Sequence, residues 1–323
     1  MYKELSVPQR TIMTPGPVES EPRVLRAMSM PIIGQFDPSF LAIMDEVKDM
    51  LKYVFQTNNE QNFAIDGTSR SGMEALMCSL IESGDRVLVP TYGRFGNMLI
   101  EIADRSGAQV HSITKEWGQV FQPDEVIEAI KRTNPKIVAV VHGETSTGCM
   151  QPLGEIGKYC SENNVLFIVD AVATLGGTEF KMDEWCVDAV CTGTQKCLSV
   201  PTGMAPISYN DKVEKLITER KQVELGLGRN QDNPRRVQSN YLDLSQIQDY
   251  WSSNRLNHHT EATTMLYGLR EGLRLFIEEG MEARLNRHKL HERAVVEGVK
   301  AMGLTVFGDP ACKMPTVTCI NVP

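Results

Sequence analysis

Two side chains of this sequence could together perform covalent chemistry on a carbonyl compound. Lys196 follows a short β-type run and lies among small and polar residues, in the segment VDAVCTGTQKCLSVPTGMA. A lysine among such dipoles in a partly dry site loses its proton more readily and can attack an aldehyde. Asp170 ends the apolar run VLFIVD, which indicates burial, and a buried carboxylate needs a cationic or hydrogen-bonding partner. Alternatively, Lys196 is a solvated loop lysine, and Asp170 lies in a strand-end turn or caps a helix.

The segment GTSRSG, residues 67–72, is a candidate anion site. It precedes a helical pattern, so backbone N–H groups and the hydroxyls of Thr68 and Ser69 would gather at a helix start. A glycine turn with a capping residue is the alternative. The nearest imitation of a dinucleotide motif, GLGRN at residues 226–230, lacks the third glycine and a preceding strand, which argues against a nicotinamide cofactor. An imine-forming lysine, a carboxylate and an anion cradle are the parts that pyridoxal 5'-phosphate requires.

The elements that must position these groups follow a simple alternation. Short β-branched runs alternate with longer amphipathic segments, which predicts an α/β fold with a parallel sheet and crossover helices. Predicted strands span residues 86–89, 136–141, 165–169, 188–191 and 204–208, and predicted helices span residues 71–83, 95–106, 124–133 and 153–163. Ligands of such sheets bind beyond the carboxyl ends of the strands, so Asp170, Lys196 and the loop HGETSTG are expected to meet at that edge.

Composition narrows the class of protein. The chain has 323 residues with 33 basic and 41 acidic side chains, a net charge of -8, and no long basic run, which argues against nucleic acid or an anionic membrane as a partner. Its eight cysteines form no CxxC pair, which is typical of reduced thiols in the cytosol. Since no signal peptide and no run of roughly 18 apolar residues occurs, we expect a cytoplasmic protein.

The chain divides into three predicted regions. Residues 1–20 would form an N-terminal arm, residues 21–275 a large domain, and residues 276–323 the start of a smaller C-terminal domain, since long helical patterns dominate after Trp251. The final segment, PTVTCINVP, is predicted to be the first strand of a new sheet without partners. We therefore expect that the sequence lacks a C-terminal portion.

Two adjacent histidines, His258 and His259, are candidate metal ligands by residue type. Adjacent histidines are expected to point apart, and no spaced His, Cys or carboxylate cluster accompanies them in the sequence. A loop role is therefore predicted for both, and no metal is predicted.

Six motifs occur in an order that resembles a known family. They are TPGPVE, DGTSRSGMEA, HGETSTG, VDAVATLGG, TGTQKCL and NHHT, spread over essentially the whole chain. The chain resembles the class V, fold-type I pyridoxal-phosphate aminotransferases, the alanine:glyoxylate and serine:pyruvate group. The resemblance implies a large domain with a mostly parallel, seven-stranded type of sheet between helices, followed by a smaller α+β domain. It also implies pyridoxal 5'-phosphate as cofactor and a homodimer whose sites are shared between subunits.

The resemblance implies a role for each matching residue. Lys196 would bind the cofactor covalently and move the substrate proton, and Asp170 would hold the ring nitrogen. The remaining contacts would come from Gly67, Thr68, Ser69 and Gln195 at the phosphate, Val172 and Phe95 at the two ring faces, Thr145 at the ring oxygen, and Thr260 of a neighbouring subunit. An arginine that clamps the substrate carboxylate in the family would lie beyond Pro323. Gln195 occupies the place of a histidine in cysteine desulfurases, which argues against that activity.

Two positions depart from the alanine:glyoxylate pattern and bear on the substrate. Gln35 in PIIGQFDP and Asn257 in RLNHHT both carry a carboxamide, which complements the N–H and C=O groups of a urea. The pair resembles that of (S)-ureidoglycine:glyoxylate aminotransferases of purine breakdown, which implies transfer of an amino group from (S)-ureidoglycine to glyoxylate. The alternatives are an alanine:glyoxylate or serine:glyoxylate/pyruvate aminotransferase, a silent pyridoxal-phosphate scaffold that binds a partner, and a purely structural role for the two carboxamides near a dimer contact.

Overall fold

The structure is a computed structural model that describes residues 2–225 and 232–323, so the segment GLGRN lies outside the described residues. The helices are α1 (Pro22–Met28), α2 (Pro38–Phe55), α3 (Ser69–Leu80), α4 (Arg94–Arg105), α5 (Pro123–Thr133), α6 (Gly154–Glu162), α7 (Asp211–Glu219), α8 (Leu244–Trp251), α9 (Thr263–Glu279) and α10 (Met281–Ala301). The strands are β1 (Gln61–Asp66), β2 (Arg86–Thr91), β3 (Gln109–Thr114), β4 (Ile137–Val141), β5 (Gly143–Glu144), β6 (Cys149–Met150), β7 (Leu166–Asp170), β8 (Ala189–Cys191) and β9 (Met204–Tyr209).

One seven-stranded sheet organises the molecule, with the strand order β1-β9-β8-β7-β4-β2-β3. The pairs from β3 through β2, β4 and β7 to β8 are parallel, whereas β9 is antiparallel to both β8 and β1. The predicted α/β fold with a mostly parallel sheet is confirmed. β9 departs from the parallel pattern because the connection from β8 contains no crossover helix, which a parallel neighbour would need.

All five predicted strands and all four predicted helices are present, with ends that shift by up to three residues. Two strands of the large sheet, β1 and β3, were missing from the prediction. β3 lies at the sheet edge, where its exposed and half-buried residues, QVHSIT, give little apolar signal. β1 has only four buried residues, between polar ends, and such a short apolar run does not identify a strand by periodicity.

The core lies around the central strands. β4, β7 and β8 are buried along their whole length, as expected of strands covered by helices on both faces. α3 lies so close to the sheet that a Cβ on Gly72 would lie 2.6 Å from the Cys191 sulfur and 2.8 Å from the Ala205 methyl carbon. Glycine at position 72 therefore allows the start of α3 to approach the carboxyl end of β8 and the amino end of β9.

The helix α9 packs against α1 and α2 and runs across position 275, where the large domain was predicted to end. The division into residues 1–20, 21–275 and 276–323 stays a prediction. The strand predicted at the end of the chain is wrong. In residues 315–323 only Ile320 pairs, through an isolated bridge with Val306, and a single bridge does not form a ladder.

The structure bears on the expected state of the cysteines and on the expected lack of a membrane-spanning segment. All eight cysteines are free, and Cys149, Cys160 and Cys191 are buried. Among the helices that the structure describes, none combines the length and apolar character needed to cross a membrane.

Candidate active site

A cavity of about 270 Å³ lies at the carboxyl ends of the central strands. Its wall contains eight residues that the sequence predicted for the site: Thr68, Ser69, Phe95, Thr145, Asp170, Val172, Gln195 and Lys196. It also contains residues that were not predicted: Arg70, Met73, Met98, Val141, Gly143, Ala173 and Thr202. The structure thus brings together the Lys196 amine, the Asp170 carboxylate and the start of α3. This meeting was predicted from the positions of the two residues near the ends of strands.

Lys196 supplies the amine of this cavity. The side chain is half-buried, and its Nζ donates a hydrogen bond to the backbone carbonyl of Pro15. Burial lowers the pKa of Lys196 below its usual value, because the charged form loses hydration. A larger fraction of the amine is therefore neutral, which is the nucleophilic form.

The N-terminal segment closes one side of the lysine loop. The N–H of Val18 donates to the Gln195 carbonyl at 3.1 Å, which joins this segment to the residue before Lys196. Gly16 has a φ of +124°, and a Cβ there would lie 2.4 Å from the Lys196 amine. A side chain at position 16 would therefore both strain the backbone and displace the lysine.

Asp170 supplies a buried carboxylate at the end of β7, where it is 4% exposed. Its Oδ1 accepts a 2.9 Å hydrogen bond from the N–H of Val172. Burial raises the pKa of Asp170 to about 6, although the bond from Val172 opposes this shift. The carboxylate therefore stands where a positively charged N–H donor would be strongly favoured.

The start of α3 forms the anion-binding wall. Thr68 occupies the cap position, but its side chain makes no capping hydrogen bond, so the hydroxyl is available to a ligand. Gln195 reaches across from the lysine loop and donates from Nε2 to the Ser69 hydroxyl at 3.1 Å. Unpaired N–H groups and the helix dipole favour an anion at this end of a helix. Gly67, also predicted for this site, lies next to Thr68 without lining the cavity.

Phe95, in the first turn of α4, is positioned by a residue that the sequence did not identify. Glu144 is fully buried, and its Oε2 accepts from the N–H groups of Phe95 at 2.9 Å and Gly96 at 3.3 Å. Its Oε1 accepts from the N–H and the hydroxyl of Ser146 at 3.1 and 2.6 Å. One carboxylate thus fixes the start of α4 against the loop that carries Thr145. Its position inside HGETSTG was the available signal.

The two predicted substrate residues lie outside this cavity in their own chain. Gln35 donates from Nε2 to the side-chain oxygen of Asn257 at 2.8 Å, and its own oxygen accepts from the N–H of Glu261 at 3.0 Å. Asn257 is exposed, and so is Thr260. Within one chain, therefore, the structure joins Gln35 to Asn257 but does not bring Gln35, Asn257 or Thr260 to Lys196.

Close to this pair, two carboxyl groups and a histidine come together. His259 Nε2 lies 3.2 Å from Asp66 Oδ2 and 3.8 Å from Glu261 Oε2. Burial, followed by the neighbouring Asp66 carboxylate, raises the pKa of Glu261 well above its usual value. The expectation that the adjacent histidines point apart is wrong, because the Nδ1 atoms of His258 and His259 lie 2.8 Å from each other. The Nε2 of His258 lies 3.4 Å from the carbonyl oxygen of Asn240.

Comparison with known proteins agrees with this geometry. The family model "Aminotransferase class-V" matches residues 32–323. The chain is 59% identical to the (S)-ureidoglycine--glyoxylate transaminase of Bacillus subtilis, over 99% of this chain and 78% of that protein. It is 39% identical to the alanine--glyoxylate aminotransferase of Drosophila melanogaster, over 100% of this chain and 80% of that protein.

A solved structure gives the same result. The ureidoglycine-glyoxylate aminotransferase from Bacillus subtilis superimposes with a TM-score of 0.94 and 58% identity, covering 99% of this chain and 80% of that one. The family-model match spans most of the chain, and both relatives align over nearly all of it. The chain therefore belongs to the class-V aminotransferase family.

Proposed function

We propose that the cavity binds pyridoxal 5'-phosphate and that the enzyme transfers the amino group of (S)-ureidoglycine to glyoxylate, giving oxalurate and glycine. The observation that carries the proposal is the meeting of the Lys196 amine and the buried Asp170 carboxylate in one cavity, beside the start of α3. The choice of substrate is supported by the 59% identity to the Bacillus subtilis transaminase, compared with 39% to the Drosophila alanine--glyoxylate enzyme.

The residues of the cavity fit this cofactor. Asp170 accepts one backbone hydrogen bond, and its carboxylate can also accept from a protonated ring nitrogen. The free Thr68 hydroxyl and the N–H groups at the start of α3 suit a phosphate. Phe95 and Val172 line the cavity with the apolar surface that a flat ring requires.

When bound, pyridoxal phosphate supplies an aldehyde that accepts the amino group and a ring that withdraws electrons from the substrate α-carbon. Lys196, whose pKa is lowered by burial, would take the proton from the substrate α-carbon and deliver it to the former aldehyde carbon of the cofactor, and would move a proton in the reverse direction in the second half of the reaction. Asp170 would keep a proton on the ring nitrogen, because a carboxylate at that point stabilises the positive charge. The same two residues serve both half-reactions, in opposite directions.

The walls of the cavity limit competing reactions with water. Met73, Met98 and Val141 add apolar surface around the reacting groups. The segment at Pro15 and Gly16 lies directly against the Lys196 amine. This enclosure keeps the lysine partly dehydrated and favours its neutral form.

We place Gln35, Asn257 and Thr260 in the site of a second subunit, which makes the enzyme a homodimer. This assignment is supported by their position outside the cavity of their own chain and by the exposure of Asn257 and Thr260. Gln35 and Asn257 keep free amide N–H groups after bonding to each other, and these N–H groups would donate to the urea oxygen of the substrate. We also propose a cytoplasmic location, which the free cysteines support.

A single-turnover titration tests the proposal. The purified, cofactor-loaded enzyme is mixed separately with (S)-ureidoglycine, L-alanine and L-serine, and loss of the long-wavelength absorbance of the lysine-bound cofactor is followed. Ureidoglycine is expected to react fastest. Lys196→Ala serves as the control and should hold the phosphate group of the cofactor without the covalent band or turnover.

Each alternative predicts a different result. Equal or faster conversion by alanine or serine would assign the enzyme to general glyoxylate transamination. A protein that binds the cofactor but converts none of the three donors would instead be a scaffold that binds a partner. Sedimentation of the loaded enzyme as a monomer at working concentrations would contradict the shared site.

A further inference from the structure

The cluster of Asp66, His259 and Glu261 is separate from the cavity of its own chain. Asp66 is the last residue of β1, whereas His259 and Glu261 lie in the segment just before α9. Glu261 is 3% exposed, and its side chain contributes nothing to the surface. Among the described residues, neither oxygen of the Glu261 carboxylate has a hydrogen-bond partner, and the same holds for Asp66 Oδ1 and His259 Nε2.

Hydrogen bonding around the two histidines determines which ring nitrogens carry protons. The Asn240 carbonyl can only accept, so His258 must donate to it from Nε2, at 3.4 Å. In a neutral ring the Nδ1 of His258 is then the acceptor, and His259 must donate to it from Nδ1 at 2.8 Å. The Nε2 of His259 is consequently left with a lone pair, directed at the two carboxyl groups.

Three electron-pair donors therefore face one another. Asp66 Oδ2 already accepts a hydrogen bond from the N–H of Ala262 at 3.0 Å. In the part of the chain that the structure describes, neither Asp66 nor Glu261 forms an ion pair with a lysine or arginine. Buried acceptors in such an arrangement repel each other unless a cation or a proton lies between them.

We propose that Asp66, His259 and Glu261 bind a zinc ion. An imidazole and two carboxylates are zinc ligands, and tetrahedral bonds of 2.0–2.1 Å place neighbouring ligand atoms about 3.3 Å apart. The separation of 3.2 Å from His259 Nε2 to Asp66 matches that value, the 3.8 Å to Glu261 is longer, and all three ligand atoms lie within 4.8 Å of one another. His258 then has the role of the outer partner that fixes the tautomer and orientation of a ligating histidine.

The ion would have a structural effect that reaches two parts of the molecule. Asp66 directly precedes Gly67 and the start of α3, and His259 stands between Asn257 and Thr260. Zinc would cross-link the end of β1 to the segment that carries these two residues. It would thereby hold the Gln35–Asn257 pair, which is also bonded to Glu261 through the backbone N–H, in a fixed position.

Zinc binding is measured by calorimetric titration of chelator-treated, purified protein, with metal content determined by mass spectrometry after dialysis. One zinc ion per chain is expected. Glu261→Gln keeps the side-chain size but removes a ligand, and should abolish this binding. His258→Leu removes only the outer partner and should weaken affinity about tenfold or more. His291→Gln, which changes an exposed histidine on α10, is the matched control and should bind as the parent does.

Three results would overturn the proposal. If the parent binds no zinc, the cluster instead holds a proton shared by Glu261 and Asp66. If Glu261→Gln retains one ion, the metal binds elsewhere, for example at the cysteines. Cobalt(II) titration of the parent gives a readout that needs no variant. A nitrogen–oxygen site of low coordination number produces visible absorbance without a thiolate charge-transfer band. Absence of this visible absorbance would also contradict the proposal. These readouts are independent of transamination.

Discussion

The side-chain N–H of Gln35 donates a 2.8 Å hydrogen bond to the side-chain oxygen of Asn257, although 222 positions separate the two residues. Gln35 stands before α2 and Asn257 before α9, two helices that pack against each other. The contact means that the two carboxamides act as one unit, because moving either one changes the orientation of the other.

This unit predicts the specificity of the enzyme. Gln35→His combined with Asn257→Ser removes both carboxamides, and should lower kcat/KM for (S)-ureidoglycine relative to L-alanine by at least about tenfold, since a urea would lose its hydrogen-bonding partners. The two single changes should not be additive, with a coupling of about 0.5–3 kcal/mol in transition-state binding. Gln109→His, at an exposed position of β3, is the control. An unchanged donor ranking in the double variant would mean that the two carboxamides do not determine which amino donor the enzyme prefers.

The buried carboxylate of Asp170 predicts an unusual dependence of stability on pH. Burial raises its pKa from 3.8 to about 6 in the folded chain, so the folded state binds this proton more tightly than the unfolded state. Its contribution to the free energy of unfolding therefore falls as pH rises between those two values and stays low above about 6. The full difference amounts to about 3 kcal/mol.

Asp170→Asn removes this titration. In protein freed of cofactor, its stability advantage over the parent should grow by about 1 kcal/mol between about pH 5 and about pH 8. Urea unfolding at the two pH values measures the change, and Asp104→Asn, on the exposed side of α4, should show no such trend. The cofactor-loaded variant should lose activity at both pH values. A constant difference in stability would mean that Asp170 is better hydrated than its burial indicates.

The hydrogen bonds of the Glu144 carboxylate hold Phe95 in the cavity wall, so a change at Glu144 should affect this wall. Glu144→Gln replaces one acceptor oxygen by an N–H₂ group, so either the start of α4 or Ser146 loses its bonds. Loss of charged hydrogen bonds of this kind costs about 1.5–3 kcal/mol. We expect lower stability and faster release of the cofactor, measured by unfolding and by absorbance after dilution. Glu101→Gln, also on α4 but exposed, should change neither. Normal cofactor retention in Glu144→Gln would limit Glu144 to a role in folding.

Arg284 is a second buried residue that holds the loop of Lys196 in place. It is 6% exposed and donates to the carbonyls of Gly176, at 3.1 Å, and Cys197, the residue after Lys196. Arg284→Leu would leave both carbonyls unpaired, at a cost of about 3 kcal/mol in unfolding free energy. Arg287→Leu removes a more exposed partner of the same Glu279 and should cost less than about 1 kcal/mol. Equal effects of the two substitutions would contradict a special role of the buried guanidinium.

The sequence was sufficient to predict those site residues that lie at or just after the ends of strands. Lys196 and Asp170 were identified because apolar runs precede them, and parallel strands place such residues at one sheet edge. The same local signals predicted the elements around them, and they failed at β3, where the edge position removes the apolar pattern.

Residues that act through contacts distant in sequence were not predictable in this way. Glu144 stands inside a motif that drew attention, yet its bonds reach a helix about fifty positions away. Glu261 has no periodic or motif signal, and its neighbour Asp66 lies in another element altogether. The carboxyl pair forms only because β1 lies beside the segment before α9, and the positions of the histidine protons follow from the contact of His258 with the Asn240 carbonyl.

The bond between the Val18 N–H and the Gln195 carbonyl has a consequence for biosynthesis. The N-terminal segment leaves the ribosome first, but the loop on which it docks is made only after most of the sheet, and domains assemble as their parts emerge. Residues 2–15 are exposed even in the finished molecule. Docking of this segment is therefore a late step in maturation.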